Sequence, residues 1–324
     1  MSSKLLNLLR FFGIDRAIAY VVLGRSWSVL SGPITLLFIA RFLSPHEQGF
    51  YYTFGSVLGL QILFELGLSA VLLHFASHEK AKLEWVGRRT LEGDEAAKAR
   101  VAAMLRKSLL WYGYIAILLI VVILPAGWLF FERSQPAGVE VHWQLPWTWF
   151  VLVSAGTLFI TPIFAVLEGC GLVAEMALMR ACLGVASSLL LWLTLSQGWG
   201  LFAAPVMNTA NLLWGLGWLM LRHKDGMVDL LRFRSGAGAI DWRREIWHFQ
   251  WKIAVSSLSG YFIYQLFNPV LFAFHGPVVA GQMGMSMSVT LAIWTVAAAW
   301  IGTKASPFGV LISKREFGKL DQLF

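Results

Sequence analysis

The chain has 324 residues, of which 57% are hydrophobic and only 14% are charged, and its formal net charge is +8. A mean hydropathy of +0.65 is far above ordinary globular usage and excludes a water-soluble domain as the main architecture. The positive charge collects in a few loops, so it indicates membrane topology, and we expect no nucleic-acid partner.

Apolar runs of about twenty residues recur along the chain, which is the length a helix needs to cross a hydrocarbon layer of ~30 Å. They predict an all-α, polytopic helical membrane protein with about eight transmembrane helices. The eight predicted spans cover residues 18–40, 50–76, 109–131, 148–168, 176–197, 200–221, 253–274 and 280–303.

Along the chain, segments rich in Lys and Arg alternate with connections that have almost none. These residues are concentrated in the N-terminal lead, after span 2, after span 6 and in the tail, whereas the connections after spans 1, 3, 5 and 7 are nearly bare of Lys and Arg. Lys and Arg favour the cytoplasmic side, so we expect the N-terminus and the basic loops to be cytoplasmic. The N-terminal lead lacks a small-residue cleavage site and is predicted to be an uncleaved amphipathic segment.

One pattern of Phe, Pro and Gly at fixed spacing occurs twice in the chain. Residues 42–54 read FLSPHEQGFYYTF and residues 274–286 read FHGPVVAGQMGMS. An offset of 232 residues aligns identical pairs: Phe42 with Phe274, Pro45 with Pro277, Gly49 with Gly281, Ser56 with Ser288, and Val57 with Val289. Both copies are predicted to form a short turn between two spans, for which Pro and Gly are suited.

The repeat predicts a domain organisation. Six spans separate the copies, so the two halves run in the same direction, as in transporters with parallel repeats. We expect a six-helix lobe at 1–225, a cytoplasmic amphipathic linker at 226–250 and two helices of a second lobe at 251–324. A second lobe equal to the first would need about four more helices. The favoured expectation is a fragment of a longer protein, and the alternative is a shortened form that needs a partner.

The stretch LFIARFLSPHEQGFYYTFGSVLGLQILFELGLSAVLLHFASHE resembles the first two spans of polysaccharide (O-antigen type) flippases. These belong to the superfamily that also includes multidrug exporters and lipid II flippases. The resemblance is carried by Arg-Phe-Leu at 41–43, the Pro-to-Gly turn at 45–49, Tyr-Tyr at 51–52 and Glu-Leu-Gly-Leu at 65–68.

The resemblance implies a MATE-like architecture with two lobes around a central cavity, the second lobe here being incomplete. It implies flipping of an undecaprenyl-diphosphate-linked oligosaccharide from the inner to the outer leaflet of a bacterial inner membrane, during O-antigen, lipopolysaccharide or other surface polysaccharide biosynthesis. The implied partners are that lipid-linked oligosaccharide, membrane lipids and other polysaccharide-assembly membrane proteins. No cofactor is expected beyond proton or sodium coupling.

Two charged residues inside spans are the main candidates for the substrate pathway. Glu65 lies near mid-membrane, where a carboxylate is costly and must face a cavity or a partner. It is predicted to be a protonatable gate or cation-coupling group, or else a structural pair. Arg25 lies about two turns inside span 1, where a guanidinium suits a diphosphate. Its alternative role is to snorkel to the headgroups.

Further polar candidates for the pathway are weaker. His74 and Lys304 lie near the inner ends of spans 2 and 8 and would contact phosphates or snorkel. Asn208 and Asn211 lie in span 6 and would line the lumen or bond between helices.

Pro and Gly residues mark the predicted conformational turns and hinges, where a Pro frees a carbonyl and permits a kink. These positions are Pro33, Pro45, Gly49, Pro269, Pro277 and Gly281.

Other functions remain open at this stage. A cation-coupled multidrug exporter of the same superfamily would need more acidic residues in its spans. A membrane polymerase or glycosyltransferase would need a larger outside loop than FERSQPAGVEVHWQLPW, and no catalytic constellation is visible. A non-transporting scaffold is the fourth possibility. We therefore expect a protein that is not an enzyme.

Overall fold

A computed structural model describes residues 16–87, 90–135, 140–234, 242, 246–313 and 318. The regular secondary structure of the described residues is helical apart from one two-stranded antiparallel hairpin. It contains five helical segments that are long and apolar enough to cross a membrane, and six if one bent pair is counted as a span. The all-α membrane class is therefore confirmed, whereas the number of eight spans is not.

The helices lie in chain order as follows. They are α1 (Arg16–Phe42), α2 (Pro45–Leu58), α3 (Ile62–Glu65), α4 (Leu68–Lys80), α5 (Glu95–Leu118), α6 (Leu124–Ser134), α7 (Gln144–Gly169), α8 (Val173–Ser196), α9 (Ala203–Trp218), α10 (Lys224–Arg232), α11 (Trp247–Tyr264) and α12 (Phe267–Ser313). The strands are β1 (Leu83–Val86) and β2 (Thr90–Gly93).

The difference in span number comes from two places. Helix α9 has 16 residues, so it is shorter than a full crossing. The last long segment, Gln250–Thr295, has 46 residues, and as a straight helix it would measure about 69 Å. It is interrupted at Gln265–Leu266 and again at Gly276, whose φ is 84°.

The first predicted turn is shorter than the sequence indicated. Helix α2 begins at Pro45, and Ser44 caps it through a capping box with Glu47. Pro45 and Gly49 are therefore helical residues rather than turn residues. Pro45 is tolerated because the first helical position needs no backbone N–H. In the second copy, only Gly276 breaks the helix, so Pro277 and Gly281 are also helical.

The breaks in the two copies occur at matching positions. The 232-residue offset pairs Ser44, the extended residue before Pro45, with Gly276, the break before Pro277. The same offset pairs Pro33, inside α1, with Gln265, in the turn between α11 and α12. Pro269 lies in the first turn of α12 after that break, where proline is compatible with a helix.

Two basic loops fold together into a layer at one end of the bundle, which we call the hairpin end. It comprises the β1–β2 hairpin, the start of α5, and α10. Leu91 and Leu230 are buried there, Lys98 Nζ lies 2.8 Å from Asp229 Oδ2, and Arg106 donates to the Phe233 carbonyl oxygen. The layer ties segments that are far apart in sequence.

The opposite end of the bundle has an aromatic core. Phe50, Phe131, Trp143 and Trp147 are almost fully buried and belong to the first copy and its following helices. Phe272 of α12 is buried among them, 4.9 Å from the Phe50 ring centroid and 5.5 Å from that of Phe131. The second copy is therefore anchored in the core of the first at this end.

Two five-residue π segments connect described helices. Leu119–Ile123 joins α5 to α6, and Leu219–His223 joins α9 to α10. Beyond the first π segment, Gly127 packs so closely on Trp147 that a Cβ at position 127 would overlap the indole ring.

Candidate functional site

The second predicted span is broken near its middle. Leu66 and Gly67 both have positive φ, at 52° and 66°. The helical stretches on either side are bent by 48°. A left-handed non-glycine residue such as Leu66 is uncommon and costs free energy. The break places Glu65 at the end of α3, next to the start of α4.

Glu65 forms a three-residue hydrogen-bond cluster at this break. Its Oε1 accepts from Ser69 Oγ at 2.7 Å and from Tyr112 OH at 2.8 Å. Tyr112 lies on α5 and is fully buried. Sequence reasoning found Glu65 but missed Tyr112, because a tyrosine in an apolar run next to Trp111 carries no distinguishing signal.

A cavity of about 500 Å³ extends from this cluster toward the hairpin end. Helices α4, α7 and α8 line it, and Ser69 connects it to Glu65. Its polar wall includes Thr161, Glu168 and Arg180, and its apolar wall includes Phe164. A space of this kind, with a few polar groups on an apolar wall, is typical of small-ligand sites.

An ion pair lies at the hairpin end of the cavity. Arg180 Nη1 donates to Glu168 Oε1 at 3.0 Å, and Nη2 donates to Oε2 at 2.5 Å. The link between the two side chains is therefore bidentate. The Arg180 side chain is 54% exposed, whereas that of Glu168 is 16% exposed.

Arg25 lies on α1, which packs along α8. Trp27 Nε1 donates to Ser188 Oγ at 2.9 Å and Trp192 Nε1 to Thr35 Oγ1 at 2.9 Å, so the two helices run parallel. A Cβ added to Gly24 would lie 3.4 Å from Ala181 Cβ. Arg25, which is exposed, therefore lies at the level of Arg180.

The other pathway candidates are not gathered at the cavity. Asn208 Nδ2 donates to Ser154 Oγ, and Asn211 Oδ1 accepts from Ser187 Oγ, both at 2.6 Å. These bonds tie α9 to α7 and α8, which was the alternative role. His74 is an exposed residue near the hairpin end of α4. Lys304 lies in α12, and its side chain is outside the described part of the structure.

The two repeat copies contact each other at the end away from the hairpin, which we call the closed end. A Cβ on Gly49 would overlap the Pro277 carbonyl oxygen, and a Cβ on Gly284 would overlap the Tyr52 ring. Gly49 and Gly281 are equivalent residues, and a Cβ on Gly281 would lie 3.0 Å from the Gly49 nitrogen. Contact between equivalent residues is what an approximate two-fold axis produces.

Among the described residues, no group of three or more His, Cys, Asp or Glu side chains could hold a metal ion. No protein-family model matches this chain, and no curated protein or solved structure matches it either.

Proposed function

We propose that this protein is a membrane transporter that flips an undecaprenyl-diphosphate-linked oligosaccharide from the inner to the outer leaflet. The observation that carries the proposal is an asymmetry along the bundle. The repeat copies pack tightly on equivalent glycines at the closed end, while a polar-walled cavity lies between the broken span and the hairpin end.

This asymmetry is what alternating access requires. A transporter with parallel repeats holds its substrate at the interface between the halves and exposes it to one side at a time. Here the cavity is lined by helices of the first lobe. The resemblance of the first two spans to polysaccharide flippases supplies the substrate class. The chemistry of the cavity fits it, because hydroxyl groups and an ion pair can bind sugars and phosphates.

The number of spans, their arrangement and the orientation in the membrane are part of the same proposal. We infer eight spans in a MATE-like arrangement, with the residues before Gly226 forming one lobe. The protein would lie in the inner membrane of a bacterial cell. Its charge-rich hairpin end would face the cytoplasm, because Lys and Arg favour that side.

The Glu65 cluster is the proposed coupling site. A carboxylate in an apolar span is typical of proton relays and ion pathways. The positive-φ residues Leu66 and Gly67 interrupt the helix beside it, and interrupted helices provide ion sites in transporters. Uptake or release of a proton or sodium ion at Glu65 would change the Ser69 and Tyr112 contacts across the break.

The test is leaflet redistribution in proteoliposomes. The purified chain is reconstituted with a radiolabelled undecaprenyl-diphosphate oligosaccharide, and the fraction reached by an impermeant glycosidase is followed over time. We expect redistribution with the protein and none with empty liposomes. A leaflet distribution identical to that of empty liposomes would contradict the proposal.

The Glu65 cluster also fits the alternative of a cation-coupled multidrug exporter. The two functions separate in the same vesicles, because an exporter would move a fluorescent lipophilic cation along an ion gradient. If the cation moves and the lipid-linked sugar does not, the exporter replaces the flippase as the function.

A further inference from the structure

A second cavity, of about 360 Å³, lies where α11 packs beside α4 and α5. The residues that line it are Leu68, Lys107, Trp111, Trp242, Trp247 and Gln250. Three of these described residues are tryptophans and none is acidic, so an aromatic wall is combined with one positive charge. The cavity shares no lining residue with the cavity beside Arg180.

One polar group in the wall of this cavity lacks a partner among the described residues. Gln250 is only 3% exposed, and its side-chain amide forms no hydrogen bond with them. Burying an amide without a hydrogen-bond partner costs free energy. Because Gln250 lines the cavity, an acceptor atom of a bound ligand can take the hydrogen bond that the protein leaves unmade.

The cavity borders the lipid-facing surface of α5. Leu110, Tyr114 and Ile117 lie on one side of this helix and are 61–69% exposed, as expected for a stripe that faces acyl chains. Trp111 adjoins the stripe and is 43% exposed, and Trp247, at the start of α11, is 50% exposed. Indole rings favour the boundary between acyl chains and headgroups. The opening between these two rings is therefore at headgroup level.

Lys107 lies where the lipid-facing stripe meets the basic layer of the hairpin end. Its neighbour Arg106 donates to the Phe233 carbonyl oxygen within that layer, whereas Trp111, one turn further along α5, already borders the stripe. Lys107 is exposed. Basic side chains in pockets between membrane helices bind anionic lipid headgroups, so the charge and depth of Lys107 suit a lipid phosphate.

We propose that this cavity binds one glycerophospholipid with an anionic headgroup, of the phosphatidylglycerol type, from the leaflet at the hairpin end. The lipid phosphate pairs with Lys107, and an ester carbonyl oxygen accepts from the Gln250 amide. The first methylene groups of one acyl chain pack against Trp111 and Trp247. The inference rests on the membrane location of the helices and is independent of the proposed flippase function.

The bound lipid would join α11 to the broken span. Leu68 directly follows the break at Leu66–Gly67, and a Cβ on Gly67 would overlap the Ile253 side chain of α11. A lipid that contacts α4, α5 and α11 together stabilises this contact. We therefore expect phosphatidylglycerol to raise the melting temperature of the folded chain, because a ligand that binds only the folded state stabilises it.

The measurement is the Kd of the full chain in a neutral detergent for dioleoyl phosphatidylglycerol, obtained from lipid-bound and lipid-free masses in native mass spectrometry. We expect one tight site for phosphatidylglycerol. Dioleoyl phosphatidylcholine should bind several-fold more weakly, because its choline cation lies close to Lys107. Equal affinities for the two lipids would overturn the anionic assignment.

Two charge variants test the phosphate contact. Lys107→Gln removes the cation from the cavity, so affinity for phosphatidylglycerol should fall about tenfold. Lys252→Gln is the matched control, because Lys252 is an exposed residue of α11 two positions after Gln250 and does not line the cavity. Equal losses in the two variants would mean that the lipid responds to surface charge in general, and the site would be overturned.

Gln250→Leu gives changes of opposite sign in two measurements. Leucine keeps a similar volume and removes the unpartnered amide, so the melting temperature without added lipid should rise. Affinity for phosphatidylglycerol should nevertheless fall several-fold, because the lipid loses a hydrogen bond. An unchanged affinity, or a lower melting temperature without lipid, would contradict the assignment of this amide to a ligand.

Two competitors identify the occupant. Glycerol 3-phosphate, which has the phosphate without acyl chains, should not displace phosphatidylglycerol at lipid concentrations. If it does, the cavity takes a soluble anion and the lipid assignment is overturned. Undecaprenyl phosphate should compete more weakly than unlabelled phosphatidylglycerol. Tighter, Lys107-dependent binding of undecaprenyl phosphate would replace the membrane phospholipid by a polyprenyl lipid as the occupant.

Discussion

At the scale of single residues, the Glu65 carboxylate depends on its two donors. Both Ser69 and Tyr112 donate to the same oxygen atom. Glu65 is half-buried, so a carboxylate that loses a donor there keeps part of its desolvation cost uncompensated. Tyr112 is therefore a positioning residue for the proposed coupling group, across the interface between α3 and α5.

Tyr112→Phe should lower the free energy of unfolding by about 1–2 kcal/mol, since it removes a hydrogen bond to a charged group without removing the ring. Thermal unfolding in detergent measures this loss. The rate of lipid redistribution should also change its dependence on pH. Tyr114→Phe is the matched control, because Tyr114 lies on the same helix with 69% of its surface exposed. Equal effects of the two variants would show that Tyr112 has no special role.

The thiol of Cys170 gives a prediction outside the spans. Burial raises the pKa of Cys170 to about 12, with nearby Lys80 opposing this shift. The folded state therefore holds the neutral thiol, and stability from this group falls as pH rises above its usual pKa toward 12. In a Cys182→Ser background, maleimide should label Cys170 very slowly at pH 7 and rapidly after denaturation. Fast labelling of the folded protein would contradict this assignment.

At the scale of elements, sequence pattern predicted the apolar helices and missed what lies between them. The break at Leu66–Gly67 was missed because the apolar composition of this run does not show that two of its residues adopt a positive φ. The hairpin was missed because its charged residues resemble a solvated loop, and the amphipathic linker predicted at 226–250 did not indicate that α10 packs on the hairpin. Their few buried residues, such as Leu91 and Leu230, become a core only when two distant loops meet.

The packing roles of Gly49 and Gly281 were also visible only in the structure. Sequence assigned Gly49 and Gly281 to turns, because glycine commonly supplies a positive φ there. Both are helical instead, and they allow α2 and α12 to approach closely. Small residues serve this purpose at membrane helix contacts. The cavity beside Arg180 was not visible in the sequence, because three separate helices line it.

Gly284→Ala should separate α2 from α12, because the added Cβ would overlap the Tyr52 ring. We expect a destabilisation of about 1–3 kcal/mol, as for overpacking of a close contact. Thermal unfolding provides the measurement. Gly55→Ala is the control, since no atom lies within 4 Å of a Cβ at Gly55. There, alanine should stabilise α2 slightly through its helix propensity. No loss of stability in Gly284→Ala would exclude tight packing at the closed end.

At the scale of the whole molecule, the proposed transport requires the closed end to open. A Cβ on Gly281 would lie 3.2 Å from the Gln48 Cβ, close to the separation found in disulfides. In a background without Cys170 and Cys182, the double variant Gln48→Cys, Gly281→Cys should form a disulfide on oxidation. Lipid redistribution should then stop, and dithiothreitol should restore it. Each single-cysteine variant is the control. Undiminished transport by the oxidised double variant would exclude opening at this contact.

The orientation of the molecule is tested with an impermeant maleimide on intact cells. Glu140 and Glu92 are exposed residues at the closed end and at the hairpin end. In the same cysteine-free background, Glu140→Cys should be labelled from outside, and Glu92→Cys only after permeabilisation. The reverse result would invert the proposed topology, because the basic layer would then lie outside.

The two π segments have a consequence for how this chain tolerates changes of length. A π segment absorbs one extra residue within a helix without turning the side chains that follow it. Deleting Val121, which is 65% exposed, would convert Leu119–Ile123 to ordinary α-helix and leave Gly127 facing Trp147. Deleting a residue within α5 itself would turn Gly127 away by about 100°. Within the described helices, the π segments are therefore positions at which this protein could lose a single codon and keep its packing.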